Sequence, residues 1–186
     1  SGTAMWHEDG SLTLWSSSQG HFSIRDFTAR ALDVPVAKVK AVPLEIGGGF
    51  GAKLRAYVEP VAAALARKAH APVKLTMTRA EAFERTGPTS GTQIRVKLGA
   101  TRDGRLTAAE AIMLYTAGAF PGSSVGGGSR CIMTGYDIPN ARIEGFDIVV
   151  NSPKTAAYRA PGSPAAALAF ETALDELAEK LGLDPI

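Results

Sequence analysis

Hydrophobic and polar residues alternate in some segments of the chain and recur at helical spacing in others. Ser11–Ser18 alternates in the manner of a half-buried strand, and Phe22–Leu32 has apolar residues at the spacing of one helix face. Pro35 follows closely, and because proline cannot continue a helix, the helix is expected to end before it. Val39–Ile46 is predicted as a second strand, and Pro43 within it favours the edge of a sheet.

The second half of the chain contains a strong hairpin signal. Gln93–Ala100 and Leu106–Thr116 flank the turn Arg102–Arg105, in which Asp-Gly supplies the positive φ that tight turns need. The other predicted elements are a helix over Arg55–His70 that starts near Val58, a strand over Val73–Thr78, a loop over Gly118–Gly135, a strand over Arg142–Val150, a loop over Asn151–Pro164 and an amphipathic helix over Pro164–Leu181.

This mixture of elements predicts the fold class. Helices and strands do not alternate strictly and one hairpin is antiparallel, so we expect an α+β fold, or mixed α/β, with helices packed on mixed sheets. The 186 residues suit one domain, 1–186, or two small lobes at 1–86 and 87–186.

Composition narrows the class of function. Hydrophobic residues make up 45% and charged residues 20% of the chain, which is typical of a globular protein, and the net charge of +2 favours neither nucleic acid nor an anionic membrane as partner. The single cysteine, Cys131, excludes an intramolecular disulfide and an iron–sulfur cluster held by this chain alone. The three histidines have no metal-ligand spacing, so no metal-binding residue is predicted.

The most distinctive feature is the glycine-rich segment Gly47–Lys53, placed between a predicted strand and a predicted helix. Adjacent glycines let a ligand approach the main chain, and the N–H groups at the start of the following helix suit an anionic group. The segment also fits the relaxed dinucleotide pattern G-x-G-x-x-A, with Arg79 as a candidate for an NADP phosphate. From these residues alone, a structural turn without a ligand explains the glycines equally well.

Several segments together resemble a known family. Ser16–Gly20, a helix, Leu32–Pro35 and Ile46–Lys53 occur in the order found in the molybdopterin-binding subunit of the xanthine dehydrogenase/aldehyde oxidase family of molybdenum hydroxylases. Further matching segments are Thr78–Phe83, Thr155–Pro164 and Leu181–Pro185. The resemblance therefore covers nearly the whole chain.

The resemblance implies roles for individual residues. Gln19 matches a glutamine beside the molybdenum centre, and Phe50 and Gly51 match the turn whose backbone meets the cofactor. Tyr158 and Arg159 match an aromatic–arginine pair on the active-site loop. The complete set of implied cofactor-binding residues is Gln19, Gly48, Gly49, Phe50, Gly51, Tyr158, Arg159 and Ala160.

Three positions depart from the patterns of particular relatives. Purine-oxidising members have a glutamate after the lysine of the glycine turn, where this chain has Leu54, and a second aromatic where it has Pro161. Carbon monoxide dehydrogenases have a copper-binding cysteine where this chain has Ala160. The resemblance therefore favours oxidation of an aldehyde or a different N-heterocycle, with water as the oxygen source.

The implied cofactor is molybdenum-molybdopterin, either as the plain pterin or in its cytosine dinucleotide form. Iron–sulfur clusters and FAD are expected only on partner chains or domains. The family's glutamate base matches no residue here and is expected beyond Ile186, so the isolated chain is expected to be inactive and to need the rest of the molybdenum subunit. A cytoplasmic location is expected, with a periplasmic one left open. A non-catalytic binding or assembly module and an NADP-binding domain remain as alternatives.

Overall fold

The computed structural model describes residues 1–185 and divides the chain into two compact units, Ser1–Thr86 and Gly87–Ile186. Each unit has its own sheet and its own hydrophobic core. Both sheets are mixed and both carry packed helices, so the predicted α+β class is confirmed.

The first unit contains a four-stranded sheet. Its elements are β1 (Gly2–Trp6), β2 (Leu12–Ser16), α1 (His21–Ala31), β3 (Val39–Pro43), α2 (Glu59–Ala69), β4 (Val73–Leu75) and α3 (Arg79–Arg85). The strand order is β3-β2-β1-β4, with β2 and β3 parallel and the other pairs antiparallel. The prediction that Pro43 marks an edge strand is therefore confirmed.

The core of the first unit follows the alternation of β2. Leu12 and Leu14 point inward and are fully buried. They pack with three small residues of α2, Ala62, Ala63 and Ala66. Because those side chains are short, α2 lies close against β1, where the Trp6 indole Nε1 donates to the Ala63 carbonyl at 2.8 Å. This packing fixes the N-terminal end of α2 beside the end of β2.

The second unit contains a three-stranded sheet with two helices. Its elements are β5 (Thr92–Ala100), β6 (Leu106–Gly118), α4 (Val125–Cys131), β7 (Ala141–Val149) and α5 (Ser163–Leu181). β5 and β6 form the predicted antiparallel hairpin, and β7 pairs parallel to β6 on its other side. Met113, Tyr115 and Phe170 are fully buried in the core that β6 makes with α4 and α5.

One strand and two α-helices lie outside the predicted elements. β1 and α3 occupy segments without a predicted element, and α4 lies inside the predicted loop Gly118–Gly135. The loop prediction is wrong for Val125–Cys131. It rested on the low helix propensity of glycine, but in the folded chain two of the glycines in this helix pack directly against neighbouring groups, where a side chain would clash. Within residues 1–185, no helix is both long and apolar enough to cross a membrane.

Candidate functional site

The segment that follows β2 is bound to the glycine turn. The Gln19 N–H donates to the Lys53 carbonyl at 2.9 Å, and the Ser18 hydroxyl donates to the same oxygen at 3.0 Å. The Gln19 side-chain oxygen Oε1 accepts from the N–H groups of Gly51 (3.0 Å) and Lys53 (3.2 Å). The sequence-predicted residues Gln19 and Gly51 are therefore in direct contact.

These bonds fix the orientation of the Gln19 amide. Two N–H donors face one end of the group, so that end must be the carbonyl oxygen, and the NH₂ group points away from the turn. Gln19 is an exposed residue, so a ligand can reach its side chain. The site thus presents an uncharged donor that is held at its other end by backbone.

Gly49 is required by this contact. A Cβ placed on Gly49 would overlap Gln19 Cδ and Oε1, and it would lie 2.7 Å from Gln19 Cγ. Any side chain at position 49 would therefore displace either the glutamine or the turn. The physical reason for glycine here is close side-chain packing on the backbone.

Phe50 has a backbone conformation that is unusual for a residue with a side chain. Four residues other than glycine have positive φ among residues 1–185, and two of them, Asp33 and His70, follow the ends of α1 and α2. The other two are Phe50 and Ala160, both with φ +50° and both in loops assigned to the cofactor by resemblance. Such strain costs about 1 kcal/mol or more per residue and concentrates at ligand-binding sites.

One expectation about the turn is wrong. No helix begins directly after it, because α2 starts at Glu59, and the N–H groups of Gly51 and Lys53 already bond to Gln19. The turn therefore does not offer a helix N-terminus to an anionic group. The dinucleotide fingerprint requires its glycines to open a helix, so the G-x-G-x-x-A match lacks its structural context.

The second unit holds the other predicted site residues, on the loop between β7 and α5. Tyr158 is 61% exposed, and Ala160 has its carbonyl bonded to the Ser163 N–H at 3.0 Å. Before them, the Thr155 N–H and hydroxyl both donate to the Ala117 carbonyl, at 3.0 and 3.1 Å. The loop is thus anchored to the end of β6 while Tyr158 remains accessible.

Helix α4 supports the other end of this loop. A Cβ on Gly127 would overlap the Pro161 carbonyl, and a Cβ on Gly162 would overlap the Ser124 carbonyl and lie 2.7 Å from the Gly128 nitrogen. The glycines of α4 therefore allow the backbones of helix and loop to touch. Sequence reasoning missed this support, because a run of glycines is typical of a loop.

Tyr115 locks the same loop from the sheet. Its hydroxyl donates to the Gly162 carbonyl at 3.0 Å, and the side chain is fully buried. Burial, and to a smaller extent the neighbouring Cys131, raises the pKa of Tyr115 above its ordinary value, so the phenol stays a neutral donor. Cys131 lies in α4, with Sγ 3.1 Å from the Ser163 hydroxyl.

Comparison with known proteins identifies the family. A family model described as the molybdopterin cofactor-binding domain matches residues 1–186. The chain belongs to this molybdopterin-binding family. The membership inferred from the sequence motifs is therefore confirmed.

The names of relatives in this molybdopterin-binding family refer to different substrates. The chain is 34% identical over 188 residues to a probable xanthine dehydrogenase subunit from Bacillus subtilis, covering 100% of this chain and 25% of that protein. It is 32% identical over 189 residues to the nicotinate dehydrogenase large molybdopterin subunit of Eubacterium barkeri, covering 100% and 44%. The chain thus spans less than half the length of either relative.

A solved structure of the family shares the fold. The aldehyde oxidoreductase from Desulfovibrio gigas matches with a TM-score of 0.91 and 31% sequence identity, covering 99% of this chain and 21% of that one. Among residues 1–185 of the present chain, no three His, Cys, Asp or Glu side chains form a group that would hold a metal ion.

Proposed function

We propose that this chain is the cofactor-contacting part of a molybdenum hydroxylase that oxidises an aldehyde or an N-heterocycle, with water as the oxygen source. The observation that carries this proposal is the amide of the exposed residue Gln19, whose Oε1 is bonded to the glycine turn so that its NH₂ group points away from the turn. A neutral, oriented donor can hydrogen-bond to an oxygen atom of the cofactor without itself binding to the metal.

The residues present fit such a cofactor. On the first unit, Gln19, Gly48, Gly49, Phe50 and Gly51 would contact it, and Phe50 has the left-handed backbone typical of a ligand-binding turn. On the second unit, Tyr158, Arg159 and Ala160 would contact it, with Ala160 in the same backbone conformation. When bound, the molybdenum–pterin group supplies the redox chemistry for hydroxylating a substrate C–H bond.

The residues of this chain hold and orient the groups that would contact the cofactor. The Lys53 ammonium donates to the Ile46 carbonyl at 2.5 Å, which ties the cation of the turn to backbone. Gln19 is neutral and is held by the N–H groups of Gly51 and Lys53, so the geometry of its hydrogen bond is fixed before the cofactor arrives. A base for proton transfer is proposed to lie outside this chain.

The substrate class is proposed from three positions. Leu54, 42% exposed, stands where purine oxidisers have a glutamate, so the chain lacks that hydrogen-bonding group for a purine. Pro161 supplies no second stacking aromatic, and Ala160 supplies no thiolate for copper. An aldehyde, or a heterocycle other than a purine, is therefore the proposed substrate.

The proposed partners follow from what one chain of this composition lacks. A single cysteine cannot hold an iron–sulfur cluster, so clusters and FAD are proposed to lie on partner subunits or domains. The rest of the molybdenum subunit would complete the cofactor cradle, with the cytosine dinucleotide as one form of the pterin. We propose a cytoplasmic enzyme in which the isolated chain is inactive.

The test is the cofactor content of the complete protein that carries this chain, purified from molybdenum-replete cells. We expect about one molybdenum and one pterin per protein, the pterin detected by fluorescence after oxidation, and turnover of aldehydes or heterocycles. Gln19→Ala should lose most of the cofactor, whereas Gln93→Ala, an exposed glutamine on β5, should keep it. Folded wild-type protein with neither metal nor pterin would reject the proposal and favour a non-catalytic binding or assembly module.

A further inference from the structure

Glu59 is a buried charge for which the family assignment gives no role. Within residues 1–185 it is the only buried residue among the aspartates, glutamates, lysines, arginines and histidines, with 7% of its surface exposed. Burying a carboxylate is unfavourable unless hydrogen bonds replace its water. Its burial at the first position of α2 therefore calls for a reason beyond solubility or helix propensity.

Both carboxylate oxygens of Glu59 are bonded within the first unit. Oε1 accepts from the Ser16 hydroxyl at 2.5 Å, and Oε2 accepts from the Tyr57 N–H at 3.0 Å. The start of a helix is also the end where a negative charge is favoured. The carboxylate thus joins the end of β2 to the segment that leads from the glycine turn into α2.

Ser16 is itself a fixed point of the unit. It is fully buried, and its carbonyl accepts from the Leu44 N–H (3.1 Å) and from His21 Nε2 (3.1 Å). Gln19 follows three residues later, and Lys53, to which Gln19 bonds, precedes Tyr57 by four residues. Glu59 therefore clamps the two segments of chain between which the Gln19 amide is held.

We propose that Glu59 is a positioning residue, which holds Ser16 and Tyr57 so that Gln19 stays bonded to the glycine turn. This inference rests on the proposed cofactor role of Gln19. Glu59 touches neither the cofactor nor the substrate and acts only through the two segments that it joins. Its two separate oxygens let it accept from Ser16 and from Tyr57 at the same time, whereas an amide side chain offers one oxygen and one NH₂ donor.

The experiment is amide hydrogen exchange, measured by mass spectrometry on the complete protein, for Glu59→Gln, Glu59→Asp and the wild type. Peptides covering 47–54 contain the Gly51 and Lys53 amides that bond to Gln19. Glutamine keeps one oxygen for the Tyr57 N–H, but its NH₂ can only donate to the Ser16 hydroxyl, so the bond from Ser16 to a charged oxygen is lost and these amides should exchange about tenfold faster. Aspartate restores a carboxylate and should recover part of the lost protection.

Glu81→Gln is the matched control. Glu81 also fixes a helix start in the first unit, accepting from the Thr78 N–H at 2.8 Å, but it does not contact the Gln19 segment. It should leave exchange in 47–54 unchanged. If Glu59→Gln matches this control at 47–54, or accelerates peptides of β1 equally, or if aspartate restores nothing, the positioning role is wrong.

Cofactor content is measured on the same samples. Glu59→Gln should retain several-fold less pterin after gel filtration than the wild type or Glu81→Gln. A wild-type protein without pterin would contradict the proposed function, while the exchange comparison would still decide whether Glu59 positions Gln19. The two failures are therefore distinguishable.

Discussion

Gly49→Ala tests whether Gln19 is seated on the glycine turn as described. The added methyl would overlap Gln19 Cδ and Oε1. Either the glutamine moves away or the turn shifts to make room. The matched substitution is Gly20→Ala, whose Cβ would meet the Ser23 hydroxyl at 3.5 Å and the Leu54 carbonyl at 3.7 Å, both ordinary contacts.

The magnitude follows from the bonds that depend on Gln19. If the glutamine moves, the bonds from the Gly51 and Lys53 N–H groups are lost, at about 1 kcal/mol each. If the turn moves instead, overpacking costs about 1–3 kcal/mol. The two routes predict that Gly49→Ala lowers the free energy of unfolding by about 1–3 kcal/mol, whereas Gly20→Ala should cost less, at most about 1 kcal/mol.

Tryptophan fluorescence during urea unfolding is the appropriate assay. The chain has two tryptophans, Trp6 and Trp15, and both lie in the first unit with the glycine turn. The midpoint therefore reports on the unit that contains the substitution. Equal midpoints for Gly49→Ala and Gly20→Ala would refute the packing of Gln19 against position 49.

Three further predictions concern other parts of the chain. Gly162→Ala should destabilise the second unit by about 3 kcal/mol or more, because the added methyl would overlap atoms of α4. Gly135→Ala, which also has a positive φ but meets no atom within 4 Å, should cost about 1 kcal/mol, and thermal melts of both variants measure the difference. Hydrogen bonds from the Gly122 N–H and from Ser123 lower the pKa of Asp147, so its contribution to stability is present above about pH 4 and is lost as the pH falls further. Asp147→Asn should therefore remove the acid sensitivity of amide exchange in residues 119–124. Thr28→Val should raise stability by about 1 kcal/mol in urea titrations, because within the described residues the buried Thr28 hydroxyl has no partner, and an unchanged or lower stability would contradict this.

Much of the fold follows from local sequence signals. The β5–β6 hairpin is specified by alternation around Asp-Gly, and the start of α2 beside Pro60 by the position of that proline. Helix α3 was also readable, since Thr78 and Glu81 form a capping box of the S/T-x-x-E type. These signals depend on residues a few positions apart.

The parts that could not be predicted depend on distant contacts. Gly127 and Gly128 of helix α4 contact the Pro161–Gly162 backbone about 35 residues later in the chain, and no local sequence signal indicates that contact. Glu59 has the sequence position of an ordinary solvated helix-start glutamate, and only the fold buries it. Spacing gives no physical reason to pair Gln19 with Gly51. The resemblance assigned each of them to the cofactor but did not predict the hydrogen bond between them.

Hydrogen exchange of the complete protein with and without cofactor tests the central claim most directly. The cofactor-free sample comes from a host that cannot make the pterin, and both samples are digested to the same peptides. We predict that cofactor slows exchange within this chain chiefly in peptides covering 47–53 and 155–162. Bound pterin that leaves both segments unchanged, or that protects other segments of the chain instead, would contradict the assignment of the site.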